Sequence, residues 1–228
     1  MDDSNFSLTH SRFMKKSLII FGGILAVLLL VVVILVVSVW GSYNGLVKLS
    51  QGVDNGWAQV QNDYQRRADL IPNLVSTVSG AANFEKSTLT EVTAARASVG
   101  KVQIDAKTAP TDPQKLAEFQ QAQGQLSSAL SRLLVVSERY PELRATANFR
   151  DLQAQLEGTE NRIAVARKDF NDAVKSYDTA VKSFPAVIYA GNFGFKEKPY
   201  FTATTGSETP PKVEFNFGGA GAPATTNH

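Results

Sequence analysis

Hydrophobic side chains follow two different rules along this chain. Between Leu18 and Trp40 they are continuous, and the run LIIFGGILAVLLLVVVILVVSVW contains no charge. From Tyr43 onward they recur at every third or fourth position, with polar residues between them. A helix over the first run would be about 34 Å long, enough to cross a hydrocarbon core about 30 Å thick. Trp40 and Tyr43 stand where interfacial aromatics are expected. The apolar region of a signal peptide rarely exceeds about 15 residues, and the surroundings of Gly41 make a poor cleavage site, so the run reads as a retained anchor.

The periodic part predicts helix almost throughout, from Tyr43 to about Pro185. Its clearest element has stations at Phe149, Leu152, Leu156, Thr159, Ile163, Ala166, Phe170, Ala173, Tyr177, Ala180 and Phe184. These alternate by three and four, the seam of a helix packed at a shallow angle in a bundle or coiled coil. Lys168, Asp172, Lys175, Asp178 and Lys182 are assigned to the outer, solvated positions. Asn148 is the expected N-cap, Asp151 sits in the first turn and Pro185 is the stop.

A second helix is predicted to open at Asp112 with Pro113 in its first position, where a missing N–H costs nothing. Its apolar face is Leu116, Phe119, Leu126, Leu130, Leu133 and Tyr140, and it ends at Pro141. The short link to Asn148 predicts an antiparallel hairpin between these two helices. Another helix is expected over Asn83–Val99, stopped by Gly100 and followed by a loop to Thr111.

The helix nearest the membrane begins at or before Tyr43 and is open to continuity with the span. It carries Leu46, Leu49, Val53, Trp57, Val60, Tyr64 and Ile71, then meets Pro72. Proline there removes the hydrogen bond to the Ala68 carbonyl, and a kink is expected. Beyond Pro185 small and aromatic residues alternate, and KVEFNF (Lys212–Phe217) is strand-like. The expected fold is all-α: an N-terminal transmembrane helix, then an elongated antiparallel helical bundle with a short irregular or strand-like C-terminal segment. The divisions are a tail (1–17), the membrane helix (18–40), the bundle (41–190), an aromatic segment (191–217) and a disordered tail (218–228).

Composition narrows the chemistry. The 228 residues include 23 basic and 21 acidic side chains, no Cys and two His. A near-neutral balance argues against nucleic-acid binding, which needs a basic stripe. The lack of Cys excludes disulfides and thiolate chemistry, and His at positions 10 and 228 only argues against a His-based triad or a His-rich zinc site, so no cofactor is implied. Arg12, Lys15 and Lys16 precede the span, whereas Lys48 is the first basic residue after it and is offset by Asp54. The positive-inside rule therefore places the short N-terminus in the cytoplasm and residues 41–228 on the outer side.

Two groups of residues are candidate sites. In QRRADLIPNLV (Gln65–Val75), Arg66, Asp69 and Asn73 share one helix face beside Pro72. They could form an anion or partner site. Alternatively Asp69 pairs with Arg66, while Asn73 or Arg67 satisfies the backbone freed by the proline. In EGTENR (Glu157–Arg162), Gly158 could permit close helix approach, and Glu160, Asn161 and Arg162 could form a polar lock with Arg66 or Arg67. Glu157 and Glu160 are a formal carboxylate pair, but no pocket or pKa-shifting neighbour is readable for them. The second group is the aromatic set Phe193, Phe195, Tyr200, Phe201, Phe215 and Phe217, which either caps the open end of the bundle or binds a partner.

Four stretches together resemble the bacterial LemA family: YNGLVKLSQGVDNGWAQVQNDYQRRADLIPNLVSTV (Tyr43–Val78), EVTAARA (Glu91–Ala97), SERYPELRATANFRDLQAQLEGTENRIAVAR (Ser137–Arg167) and FGFKEKPYF (Phe193–Phe201). Two positions depart from the pattern. Gly56 stands where the family more often has Ala, and Asn83–Phe84 where a His–Glu-type pair is common. The resemblance implies one N-terminal membrane helix with a long antiparallel bundle in a bacterial cytoplasmic (inner) membrane, and no agreed activity. It also implies frequent gene neighbourhood with membrane metalloproteases. The expected function is a non-enzymatic, single-pass membrane scaffold or adaptor that forms homo-oligomers. The alternative is a partner or substrate-presenting factor of a membrane protease in envelope quality control, with a carboxylate-dependent hydrolase as a remote third.

Overall fold

A computed structural model describes residues 4–81, 84–102, 104–105 and 108–202, with side chains from Phe21 onward. Among these residues the elements are α1 (Ser4–Ser79), α2 (Lys86–Lys101), α3 (Pro113–Ser137), α4 (Pro141–Ala145), α5 (Ala147–Lys182) and α6 (Ala186–Tyr189). The fold is all-α. The strand-like run Lys212–Phe217 and the tail beyond it lie outside the described residues.

The membrane run and the first bundle helix are one element. α1 continues for 76 residues, about 114 Å at 1.5 Å per residue. From Phe21 to Val37 its large apolar side chains all face the surroundings, whereas Leu46, Val53, Trp57, Val60, Tyr64, Ile71, Leu74 and Val78 are buried. The same helix is therefore a candidate membrane span at one end and a core element at the other. It also runs through Pro72 without interruption. The carbonyl of Ala68, which the proline leaves without its helical donor, accepts from Arg96 Nε on α2 at 3.2 Å. Neither Asn73 nor Arg67 performs the repair expected of them; a neighbouring helix does.

The bundle is built from two close antiparallel pairs, α1 with α5 and α2 with α3. Contacts run in opposite senses along each pair: Trp57 meets Phe170 and Arg67 meets Glu160, while Glu85 meets Arg139 and Glu91 meets Arg132. The hairpin expected between α3 and α5 is thus corrected. The short connection holds the helix α4, and the intimate partner of α5 is α1, distant in sequence.

Two main apolar clusters fill the interior. One gathers Ile71, Leu74, Val78, Val92, Leu126, Leu133, Phe149 and Leu156 at the end far from the membrane. The other is aromatic, with the Trp57 ring centroid 5.6 Å from Phe119, 5.7 Å from Phe170 and 6.0 Å from Phe201. Such offset and edge contacts contribute beyond area burial. A small third cluster, Leu46 with Ala186, Tyr189 and Ala190, attaches α6 to the foot of the bundle.

The heptad seam of α5 is buried at Phe149, Leu156, Thr159, Ile163, Ala166, Phe170 and Tyr177. Three details differ. The helix stops at Lys182, and Phe184 is exposed. The N-cap is Thr146, whose hydroxyl accepts from Phe149 N, and not Asn148. Asp178, assigned to the outer face, is buried because the backbone N–H of Lys198 donates to its Oδ1 at 3.1 Å. The cap at Asp112 is as expected, with Oδ1 accepting from Gln114 N at 2.9 Å.

The close helix approach lies at Gly56 and not at Gly158. A Cβ on Gly56 would stand 3.4 Å from Phe170 Cα, whereas one on Gly158 would meet only the far end of its own neighbour Arg162. A methyl at Gly56 makes ordinary contact at that distance, so Ala fits the same α1–α5 spacing.

Phe170 and Lys175 lie within two turns of one helix, the first fully buried and the second exposed. Phe170→Ala should destabilise the detergent-solubilised chain by about 3–5 kcal/mol through lost contact and cavity formation. Lys175→Ala should change stability by less than about 0.5 kcal/mol. Chemical denaturation followed by circular dichroism measures both, and equal midpoints for Phe170→Ala and the parent would contradict the core assignment.

Candidate functional site

The core stripe of α1 runs Val60, Tyr64, Arg67, Ile71, Leu74, alternating by four and three. An arginine therefore occupies a core-facing position. It is 1% exposed. A guanidinium cannot shed its proton in a protein, so burial demands that its donors be met. Arg67 Nη1 donates to Glu160 Oε1 on α5 and to Ser127 Oγ on α3, both at 2.7 Å. Nη2 donates to the side-chain carbonyl of Gln123 and, at 3.4 Å, to its main-chain carbonyl. The guanidinium carbon also stands 5.1 Å from the centroid of the Tyr64 ring. Nε alone finds no acceptor. One side chain thus joins three helices.

Beside it lies a groove of about 590 Å³ lined by Tyr64, Arg67, Gln123, Ser127, Glu160 and Arg167, among others. Its lower edge is closed by the returning chain. Arg167 Nη2 and Gln120 Nε2 donate to the Thr202 carbonyl at 3.1 and 3.0 Å, and the Arg167 guanidinium carbon lies 4.7 Å from the Phe201 ring centroid. Burial pushes the Tyr64 phenol above its ordinary pKa, against the opposing pull of Arg167 and Arg67. The carboxylate in the groove faces a permanent cation at hydrogen-bond distance, a geometry suited to holding helices in register.

Of the residues singled out from sequence, the structure brings Arg67 and Glu160 together, and joins Arg162 to Asp63 instead of to an arginine partner. Arg162 Nε is 3.5 Å from Asp63 Oδ1, and Nη2 donates to Thr159 Oγ1 at 2.7 Å. Arg66, Asp69 and Asn73 do share a face, but it points to solvent. Asp69 accepts from Gln65 Nε2 at 2.7 Å and not from Arg66, and Asn161 is also exposed.

The aromatic set divides by depth. Phe201 is buried, with its ring centroid 5.4 Å from that of Phe170, and Phe195 is half-buried. Phe193 and Tyr200 are exposed, while Phe215 and Phe217 fall outside the described residues.

A second polar node escaped sequence reading. Asp54 Oδ1 accepts from Lys198 Nζ at 2.9 Å and from Ala109 N at 3.0 Å. Lys198 is 7% exposed, and its ammonium lies 5.7 Å from the Tyr177 ring centroid. Burial raises the pKa of Asp178 and Tyr177 next to it. The available signal was an ammonium among aromatics in KEKPYF, and an aspartate one position off the apolar stripe of α1. Among the described residues no three His, Cys, Asp or Glu side chains converge as metal ligands would.

The model of the LemA family matches residues 56–215, which takes in the arginine-centred groove and Lys198. The chain belongs to the LemA family. Its relatives include Protein LemA of Metamycoplasma hominis, 23% identical over 63% of this chain and 61% of that protein. They also include Magnetosome protein MamQ 2 of Paramagnetospirillum magneticum, 33% identical over 39% of this chain, and Magnetosome protein MamQ of Magnetospirillum gryphiswaldense, 32% identical over the same share. The chain spans 33% of the length of these MamQ proteins. The family match and the apolar half of α1 together describe a membrane-associated helical protein.

The exposure of the ion-pair partners is unequal: the Arg67 side chain is 1% exposed and that of Glu160 44%. Glu160→Ala leaves a buried cation with neutral acceptors only and should cost about 2–4 kcal/mol. Arg67→Met leaves a carboxylate that water can reach and should cost less. A double-mutant cycle should show coupling above about 1 kcal/mol; additivity within about 0.5 kcal/mol would mean that the pair does not interact.

Proposed function

We propose that this LemA-family chain is a non-enzymatic, single-pass scaffold or adaptor that self-assembles in a bacterial inner membrane, with residues 41–228 on the outer side. The observation that carries the reading is the unbroken α1, half apolar surface and half bundle core. A bundle continuous with its own anchor holds its surfaces at a fixed height and angle, which suits a platform better than a tethered enzyme. The polar groups of the groove support the same reading, since Arg67, Glu160, Gln123 and Ser127 bind one another across helices. The basic flank Arg12, Lys15 and Lys16 supports the orientation.

Gentle detergent extraction followed by light scattering and crosslinking mass spectrometry tests assembly. Crosslinks between copies in a particle larger than one chain are expected; a strictly monomeric particle would overturn self-assembly, and co-elution of a membrane protease would favour the role of protease partner. Orientation is tested separately with Val165→Cys, at an exposed position of α5 in a chain without cysteine. A membrane-impermeant thiol reagent should label it before the cytoplasmic membrane is breached. Labelling only afterwards would reverse the assignment.

A further inference from the structure

We infer that the foot of the bundle, residues 184–193, is a second membrane contact that sits in the interfacial layer beside the point where α1 emerges, and that lipid is what covers it. The inference rests on the reading of Leu18–Trp40 as a membrane span.

The foot is apolar on two sides. Ala186, Tyr189 and Ala190 face the core and bind it to Leu46 of α1. Phe184, Val187, Ile188 and Phe193 face outward, at 77%, 57%, 70% and 62% exposure. Four large apolar side chains left in water on one short segment is an arrangement that soluble surfaces seldom carry without an occupant.

The position of the foot identifies that occupant. The Phe193 ring meets Tyr43 edge-on at 5.5 Å, and Phe195 does so at 5.4 Å. Phe193 also lines one groove of about 530 Å³ with Leu35, Val36, Val39, Trp40 and Tyr43. The first four of these belong to the apolar run itself. Through Phe193 the outward side of the foot is thus continuous with the surface of α1 that faces lipid, and Leu35 to Tyr43 covers about 12 Å of helix axis, from the end of the hydrocarbon into the headgroup layer. Polar residues suited to that layer flank the segment in the chain: exposed Asn192 and Lys196 on one side, and Lys182, paired with Glu197 at 2.8 Å, on the other. Aromatic and aliphatic side chains beside basic ones form the composition of interfacial anchors.

The test uses the full chain, whose lack of cysteine allows single labels. Ile188→Cys and, as a second exposed position, Phe184→Cys carry an environment-sensitive fluorophore in phosphatidylcholine–phosphatidylglycerol vesicles, with or without doxyl-labelled lipid. Val31→Cys in the apolar run and Val165→Cys up the bundle are the references. Strong quenching at positions 188 and 184, approaching that at Val31, with none at Val165, is expected. Replacing Val187 with Asp should reduce quenching at Phe184→Cys several-fold while helicity by circular dichroism is unchanged. If Ile188→Cys and Phe184→Cys behave like Val165→Cys while Val31→Cys is quenched, the inference fails and the membrane reading stands. If those labels are shielded from both doxyl lipid and aqueous iodide, a protein covers the foot and the inference also fails. If Val31→Cys is itself unquenched, the membrane reading and the inference fail together.

Discussion

A guanidinium buried in a helical core limits how the helices around it can be arranged, because its charge persists and its donors point in fixed directions. Arg67 meets this limit at both Nη groups, with one carboxylate from α5 and an amide and a hydroxyl from α3, and only its Nε is left without an acceptor. Sliding α5 past α1 by one turn would move Glu160 about 5.4 Å and leave the cation with neutral partners. The neighbouring contact between Asp63 and Arg162 repeats the restriction one turn away with the charges reversed between the two helices. Register between α1 and α5 is therefore held by these ion pairs together with the aromatic contact of Trp57 and Phe170.

The same reasoning explains why a proline is tolerated in the longest helix. Pro72 leaves the Ala68 carbonyl without a helical donor, and Arg96 reaches across from α2 to supply one. The defect in α1 thereby becomes a contact between the two helix pairs. Arg96 belongs to EVTAARA, and Ala68 and Pro72 to QRRADLIPNLV, so two separate signature stretches meet in one hydrogen bond.

Much of this architecture can be read from spacing. The seam from Phe149 to Tyr177, the cap at Asp112 and the apolar run are local patterns with direct physical consequences, and each recurs in the fold. Pairing is different. The short link between α3 and α5 pointed to a hairpin, yet what decides neighbours is the fit of whole faces, and the aromatic face of α1 fits that of α5. Asp178 shows the same limit on a smaller scale: its place in the heptad is outward, and only the returning segment, with the Lys198 N–H, makes that place interior. In the candidate site the pair of Arg67 and Glu160 was legible because both are charges close to an apolar stripe. Gln123 and Ser127 were not, since a neutral polar residue on a helix carries no sign of which neighbour it will meet.

The returning segment also determines what the foot can do. Phe201 inserts beside Trp57 and Phe170, Lys198 reaches Asp54, and Asn171 exchanges hydrogen bonds with the backbone of Phe201 at 2.9 Å in both directions. Residues 195–202 are thus held to the bundle at Phe195, Lys198, Phe201 and Thr202, and the foot that precedes them is fixed beside Tyr43. A foot fixed in this way keeps Ile188 and Phe193 at one height relative to the span, whether or not lipid is present. Membrane contact then involves little loss of conformational freedom, because the ordering has already been done by the core. The buried lysine and the exposed phenylalanine of FGFKEKPYF serve one arrangement, the first by holding the segment down on Asp54 and the second by closing against Tyr43 and the end of the apolar run.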